Sequence, residues 1–480
     1  MSAAAQRRGT AAPASLRSEF GATFALAWPL VLSNVALNVM AATDMMMLGW
    51  LSPKALAAGS LGFNLYTPIF LFGIGVIAAL SPIAAARRGA GEGGDGLRRA
   101  AHQGLISAVL LSVFAWIALS QTTAILIAIG EPEQLARDAG IYMHGFQWGY
   151  LPSLLFAASR SMFAALERPR PTLIVGLVAV AFNALANYAL IFGHFGLPAL
   201  GIFGSGLATT LSETVMAASL FGVSFLDRDM RRLKLFALPW RPARAEFFAL
   251  WRLGLPIGAT IVAEVGIFSA STLAVGLLGQ HALEAHTVAL QICALAFMVP
   301  LGLGQAATVR VGRAFGARDP KAIARAGWCA YALTVAFACV SASTMIFAPH
   351  VLIGPFIPLD RPENAEAVAI AIALLKVAAI FQIFDASQAA LANMLRGVHD
   401  SRVPLVIALV GYWAVGAPVG LALGFSTSLG PVGVWIGLAS GLAAVAALLL
   451  TRWIAKEKRG FLAPLARTDA PAVSAARGAV

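Results

Sequence analysis

The sequence predicts an all-α membrane protein of about twelve transmembrane helices, in two six-helix lobes related by a pseudo-two-fold axis along the membrane normal. Three observations lead there. The 480 residues are 59% hydrophobic and only 12% charged, with a mean hydropathy of +0.80. Soluble domains carry about 25% charged residues, so this chain cannot coat a water-exposed surface. Its apolar residues gather into repeated stretches of about 20, the length at which a helix crosses hydrocarbon. An internal repeat then divides these stretches into two sets.

The spans are expected near 24–49, 56–84, 103–129, 139–165, 172–193 and 202–226, then near 253–278, 287–309, 327–348, 370–395, 404–424 and 432–455. This gives an N-terminal lobe over 24–226, a linker over 227–252 and a C-terminal lobe over 253–455. Tails occupy 1–23 and 456–480. The first tail is small, basic and polar, without the apolar core and cleavage site of a signal peptide. The second is basic, then Ala/Pro-rich, and is expected to be disordered. Cys293, Cys329 and Cys339 fall in or beside apolar runs with no close pair. They read as buried small residues rather than a disulfide or zinc framework.

Charge distribution orients the layout. With the N-terminus inside, inner segments hold 29 of the 34 Lys and Arg residues, against Lys54, Arg137 and Arg361 outside. That bias places both termini in the cytoplasm, in an inner membrane. The net charge of +12 is therefore a product of topology and does not indicate nucleic acid. Arg160 and Lys376 fall within spans but near their ends, where snorkelling is expected. The basic loop 227–252 reads as a connector near anionic headgroups. Gly89 to Gly96 matches a Gly-x-Gly-x-x-Gly pattern, yet no strand precedes it, so it reads as a loop rather than a nucleotide site.

An offset of 227 residues aligns the halves without gaps from Pro29 to Arg98. It sets Pro29 on Pro256, Gly49 on Gly276, Gly75 on Gly302, Gly89 on Gly316 and Arg98 on Arg325. Six spans per half make the repeats parallel, an arrangement in which substrate binds between halves that rock.

Ionisable groups at membrane depth cost a few kcal/mol on insertion scales, so each calls for a role. Four carboxylates lie deep: Asp44, Glu213, Glu264 and Asp385. Gln382 and Gln388 stand three residues either side of Asp385 on its helical face, and Thr260 and Ser271 share the face of Glu264. Asn183 and Asn187 form another i, i+4 pair. Such stripes belong in a cavity or bundle interior. A carboxylate there can be neutralised by a proton, by Na⁺ or by a cationic substrate, and mutual exclusion of these occupants couples export of one to entry of another. Polar pairs can also simply hold helices together. Glu213 stands between the two readings. Asn64, Thr287, Gln291 and Phe297 are further cavity-lining candidates. Met40, Met45, Met46, Met47 and Met298 suit a promiscuous surface or ordinary packing.

These residues carry a resemblance. Thr43-Asp44-Met45-Met46-Met47-Leu48-Gly49 resembles the Asp-containing first-helix motif of the MATE (multidrug and toxic compound extrusion) family. Glu264, and Asp385 within Phe-Gln-Ile-Phe-Asp, are similar to the acidic pair of its NorM-like branch. Leu395-Arg396-Gly397 with Asp400-Ser401-Arg402-Val403-Pro404 resembles the motif after helix 10, and Leu166-Glu167-Arg168-Pro169-Arg170-Pro171 the one after helix 4. The resemblance implies a two-lobe exporter of cationic amphiphilic compounds, driven by Na⁺ or H⁺, with no cofactor. Glu264 and Asp385 would bind the coupling cation, as Na⁺ ligands if Na⁺ is used, and Asp44 would act in the N-terminal lobe. Asn187 stands where another branch has Asp. The family's Ala-His-Gln-Val-Ala appears here as Ala285-His286-Thr287-Val288-Ala289, which loses an amide, and His286 reads as structural. A self-contained pair of lobes suffices as a monomer.

Two other classes compete. A lipid-linked precursor flippase would need Arg and Lys in its cavity for pyrophosphate, whereas the deep charges here are acidic. A membrane enzyme would need clustered nucleophile, base or metal ligands, and the seven His residues are scattered.

Overall fold

The computed structural model describes residues 15–236, 240, 242–359 and 361–461, so the outer parts of both tails, 1–14 and 462–480, lie outside the described residues. No strand occurs among the described residues. Eleven helices are long and apolar enough to cross a membrane: α1 (Leu16–Leu51), α2 (Pro53–Gly89), α3 (Gly94–Leu119), α5 (Arg170–Phe192), α6 (Gly201–Leu226), α7 (Arg244–Gly276), α8 (Gln280–Gly316), α9 (Pro320–Phe347), α10 (Pro362–Gly397), α11 (Arg402–Phe425) and α12 (Pro431–Lys458).

The remaining span, α4, is two helices, Glu133–Phe146 and Tyr150–Ala165, joined through a 3₁₀ turn at Gln147–Gly149. Pro152 explains the break, because its ring excludes the carbonyl of Trp148 and it offers no N–H. The carbonyls freed there find new donors. Thr210 Oγ1 of α6 donates to Gly145 O at 2.7 Å, and Trp116 Nε1 of α3 donates to Gln147 O at 2.9 Å. Irregular backbone at membrane depth is tolerated only when it is satisfied in this way. Pro418 acts similarly in α11, which widens to a π-helix over Val410–Gly416.

Most helices outrun the apolar stretches that announce them. α8 covers Gln280–Gly316 and α7 begins at Arg244, so the connector between halves is shorter than the 227–252 segment expected. Backbone bonding continues through the headgroup layer, where charged side chains are at home, while hydropathy registers only the hydrocarbon portion.

The 227-residue offset holds in three dimensions. It carries Pro53–Gly89 onto Gln280–Gly316 and sets Pro29 and Pro256 inside α1 and α7. Two cores result. One is built from α1–α6 with Leu250, Leu253 and Ile257 of α7 and Leu303, Ala306 and Val309 of α8. The other belongs to α7–α12.

The lobes meet where the chain is basic. A Cβ on Gly89 would collide with the Arg313 carbonyl, and one on Gly316 with the Ala86 carbonyl. Residues 86 and 313 are themselves related by the offset, so the two contacts are symmetry copies. Gly75 against Gly258 and Gly302 against Val31 repeat the pattern one level deeper. Around the axis lies an ion network. Arg310 grips Glu19 through Nε and Nη2, each at 2.8 Å. Glu167 accepts from Arg310 and Arg313 at 2.9 Å, with Arg88 at 3.7 Å. Burial pushes the Glu167 carboxyl up, but the Arg310, Arg313 and Arg88 guanidiniums outweigh it and hold the group below the usual glutamate range. Its contribution is therefore complete above that range and lost only as pH falls through the lower folded value.

Two expectations need correction. Arg160 does not snorkel outward. Its guanidinium turns between the lobes, donating to Asn34 of α1 and, at 2.8 Å, to Gln305 of α8, because two amide oxygens there replace water. Cys339 is exposed on α9 rather than buried, since the apolar outer face of a span needs no protein cover. Lys376 is exposed.

Glu19→Gln leaves the buried Arg310 with half its counter-charge and should cost about 2–3 kcal/mol, read as a lower unfolding midpoint in detergent. Glu133→Gln, which removes an exposed i, i+4 partner of Arg137, should change the midpoint by under about 0.5 kcal/mol. Equal midpoints in the two variants would refute the ranking.

Candidate functional site

Each lobe holds one nest of buried polar groups. In the first lobe, Asp44 of α1 faces α5 and α6. Its Oδ1 accepts from Asn183 Nδ2 at 2.9 Å and from Asn187 Nδ2 at 2.6 Å. Its Oδ2 accepts from Thr209 Oγ1 at 2.8 Å. Asn183 and Asn187 sit one turn apart, which is why both amides reach one oxygen. Their own carbonyl oxygens have no partner. The nest thus offers two unused amide oxygens beside a carboxylate, the donor type that hard cations such as Na⁺ take.

The Thr209 contact is reversible in sense. Ionised Asp44 accepts the hydroxyl proton. Protonated at Oδ2, Asp44 would donate to Thr209, whose hydroxyl can then donate to Ser205 O at 3.2 Å. Asp44 can therefore carry or release a proton without displacing the two asparagines. Glu213, one turn along α6 from Thr209, is buried beside Ser153 of α4. It lies within electrostatic reach of Asp44.

The second nest joins α7 and α10. Gln388 Nε2 is set between two carboxylates, 3.2 Å from Glu264 Oε1 and 3.4 Å from Asp385 Oδ1. Asp385 is 5% exposed, whereas Glu264 is half-buried. One amide serving two carboxylates leaves most of their lone pairs unsatisfied. Two such charges in an apolar interior need a cation or a proton between them. Gln382, one turn outward on α10, is fully buried, and both polar atoms of its amide lack a partner. Thr260 and Ser271 bond back to the Pro256 and Phe268 carbonyls at 2.7 Å, so neither hydroxyl is committed to Glu264.

None of the other cavity candidates shares a hydrogen bond with either nest among the described residues. Asn64, Thr287 and Gln291 are exposed and Phe297 half-buried. Thr287 bonds its own helix at Leu283 O, 2.8 Å away. Met40 and Met47 belong to the core, while Met46 is exposed. His286 is fully occupied: Trp435 Nε1 donates to its Nδ1 at 3.0 Å, and Nε2 meets Thr272 Oγ1 at 3.1 Å. This ties α8 to α12 and α7, in keeping with a structural residue. Sequence reasoning missed Thr209, whose signal was its place four residues before Glu213 on the same face. It also missed Arg396 as a neighbour of Glu264, because it lies at the very end of α10. Among the described residues no three His, Cys, Asp or Glu side chains gather as a metal cluster.

Comparison with known proteins agrees with this geometry. The MatE family model matches residues 29–189 and 256–422, the two repeats just described. A probable multidrug resistance protein NorM of Mesorhizobium japonicum is 48% identical over 452 residues, covering 94% of this chain and 97% of that protein. A protein of the same description from Brucella suis is 43% identical over 429 residues, covering 89% and 91%. The solved outward-facing conformation of a multidrug resistance MATE family transporter of the MOP superfamily superposes with a TM-score of 0.82 at 19% identity, over 92% of this chain and 96% of that one. With both repeats matched and relatives aligned along nearly the whole length, this chain belongs to the MatE family of membrane transporters.

Proposed function

We propose that the chain exports cationic, amphiphilic small molecules in exchange for Na⁺ or H⁺, as a single chain in the inner membrane with both termini cytoplasmic. The observation that carries the reading is the second nest, where Glu264 and Asp385 share one amide donor. Such a pair is stable only with a positive occupant, and it accepts a proton, an alkali cation or an organic cation without distinction of mechanism. The NorM relatives are described as multidrug resistance proteins, which supports a broad cargo.

The sequence places 29 of the 34 basic residues in segments expected on one side of the spans, which supports this orientation. The glycine contacts and ion network close that cytoplasmic end. No side-chain hydrogen bond joins the outer halves of the lobes among the described residues, which supports a cleft open to the outside. In the cycle, a cation arriving from outside neutralises Glu264 and Asp385 and displaces the organic cation. The neutralised lobe then rocks, the cytoplasmic contacts part, and the coupling cation leaves inward. Asp44 supplies a second, proton-capable carboxylate in the other lobe. No observation favours the flippase alternative: the deep carboxylates Asp44, Glu213, Glu264 and Asp385 outnumber the one guanidinium, Arg160, that turns between the lobes.

Purified protein in liposomes should move a fluorescent cationic dye under either an imposed Na⁺ gradient or an imposed pH gradient. Asp385→Asn should reduce that movement more than about tenfold while reaching the membrane normally. Retention of wild-type movement in Asp385→Asn would refute the mechanism.

Thr209→Val tests the first nest. It removes the partner that receives the Asp44 proton, with little change in volume. Gradient-driven transport should slow by about three- to tenfold, and the unfolding midpoint should fall by about 1 kcal/mol or less. Unchanged transport would place Asp44 outside the coupling path.

A further inference from the structure

The cytoplasmic end is rich in arginines that reach carboxylates: Arg87, Arg88, Arg99, Arg310, Arg313 and Arg452 all do so. Arg396, near the end of α10, does not. Its guanidinium makes one side-chain hydrogen bond, a long 3.5 Å contact from Nη1 to Asn393 Oδ1, and no carboxylate lies within ion-pair distance among the described residues. Arg396 is half-buried, and a guanidinium partly withdrawn from water without a counter-charge is costly, so its surroundings should reveal the missing anion.

They do. A narrow cavity lined by Ile257, Thr260, Gln388, Ala392, Arg396 and Ser401 runs between Arg396 and the second nest. Asp385, Gln388, Ala392 and Arg396 follow one another at helical spacing on a single face of α10. Side chains on a helix lean toward its N-terminus, and in α10 that direction leads from Arg396 up to the carboxylates. The climb from Arg396 to Gln388 is about 12 Å, of which the arginine side chain covers roughly half. Glu264 is within electrostatic reach of the guanidinium, as is the Tyr412 hydroxyl of α11. The faces presented by α12, Val445 and Leu449, carry no charge.

We infer that Arg396 is a tethered counter-cation for the second nest, neutralising Glu264 through the cavity whenever the coupling cation departs. It stands on the cytoplasmic side of the carboxylates, the side from which that cation leaves. Its positive field stabilises the empty, ionised pair and so competes with the occupant. Binding from outside is weakened and release inward is promoted. Arg396 is thus a positioning residue for exchange, and this role rests on the coupling assignment of Glu264 and Asp385 made above.

The test is the concentration of driving cation that gives half-maximal dye movement in liposomes, measured for the wild type, Arg396→Gln and Arg396→Lys. Loss of the charge should lower that concentration about tenfold and reduce the maximal rate. Arg396→Lys keeps the charge and should stay within about twofold of wild type. Where Arg396→Gln moves dye too slowly, calorimetric titration of the driving cation into detergent-solubilised protein gives the same comparison. An unchanged half-maximal concentration or affinity in Arg396→Gln overturns the inference, leaving Arg396 as a helix-end charge. Equal loss in both variants overturns it as well. A wild type that moves no dye under either gradient removes the coupling assignment and this inference together. A wild type that exchanges normally while Arg396→Gln keeps its half-maximal concentration removes this inference alone.

Discussion

The backbone contact at the pseudo-two-fold axis governs the rest of this structure. α2 and α8 approach so closely at Gly89 and Gly316 that each glycine lies against the other helix's carbonyls, at Arg313 and Ala86. Contacts of this kind need small residues, and without a hydrophobic drive between helices they supply much of the association in a bilayer. Once the axis is pinned, Glu19, Glu167, Arg310 and Arg313 are carried into reach of one another. Among the described residues no side-chain hydrogen bond joins the lobes at the opposite end.

The two carboxylate nests differ in how well they are satisfied. Asp44 accepts three hydrogen bonds from three side chains. Glu264 and Asp385 divide one weakly placed amide. Asp44 is satisfied as an ionised group and remains so when protonated, while the two asparagine oxygens beside it stay unpartnered. The second is complete only with an occupant, and its nearest alternative positive charge is the Arg396 guanidinium. This asymmetry arises although the helices obey the repeat closely, because α1 and α7 present their acids at different heights. Asp44 lies fifteen residues beyond Pro29 and Glu264 eight beyond Pro256.

Most of the fold was legible in the sequence, because hydropathy and the Pro/Gly register depend on chemistry that every span shares. Asp44, Glu264 and Asp385 stood out because charge in hydrocarbon is rare, and the Asn183/Asn187 pair stood out by spacing. The union of that pair with Asp44 was not legible, since it depends on the angle at which α5 crosses α1. Thr209 was hidden for a related reason: a hydroxyl in a span usually serves its own helix, as Thr260 and Ser271 do here. Arg160 was misread because distance from a span end predicts snorkelling only where no buried acceptor competes.

The interruption in α4 bears on how the chain is made. Its second half, Tyr150–Ala165, is sixteen residues long, short for a span, and its first half carries Glu133, Arg137, Asp138 and His144. Such a segment partitions poorly on its own as it emerges from the translocon. Trp116 of α3 precedes it in synthesis, but Thr210 of α6 is some sixty residues further on. During biogenesis the broken turn must wait in the membrane, partly unsatisfied, until α6 arrives to complete it. Assembly of the first lobe is therefore coupled to its insertion, whereas α10, the counterpart of α4 in the second lobe, is unbroken and needs no later helix to complete it.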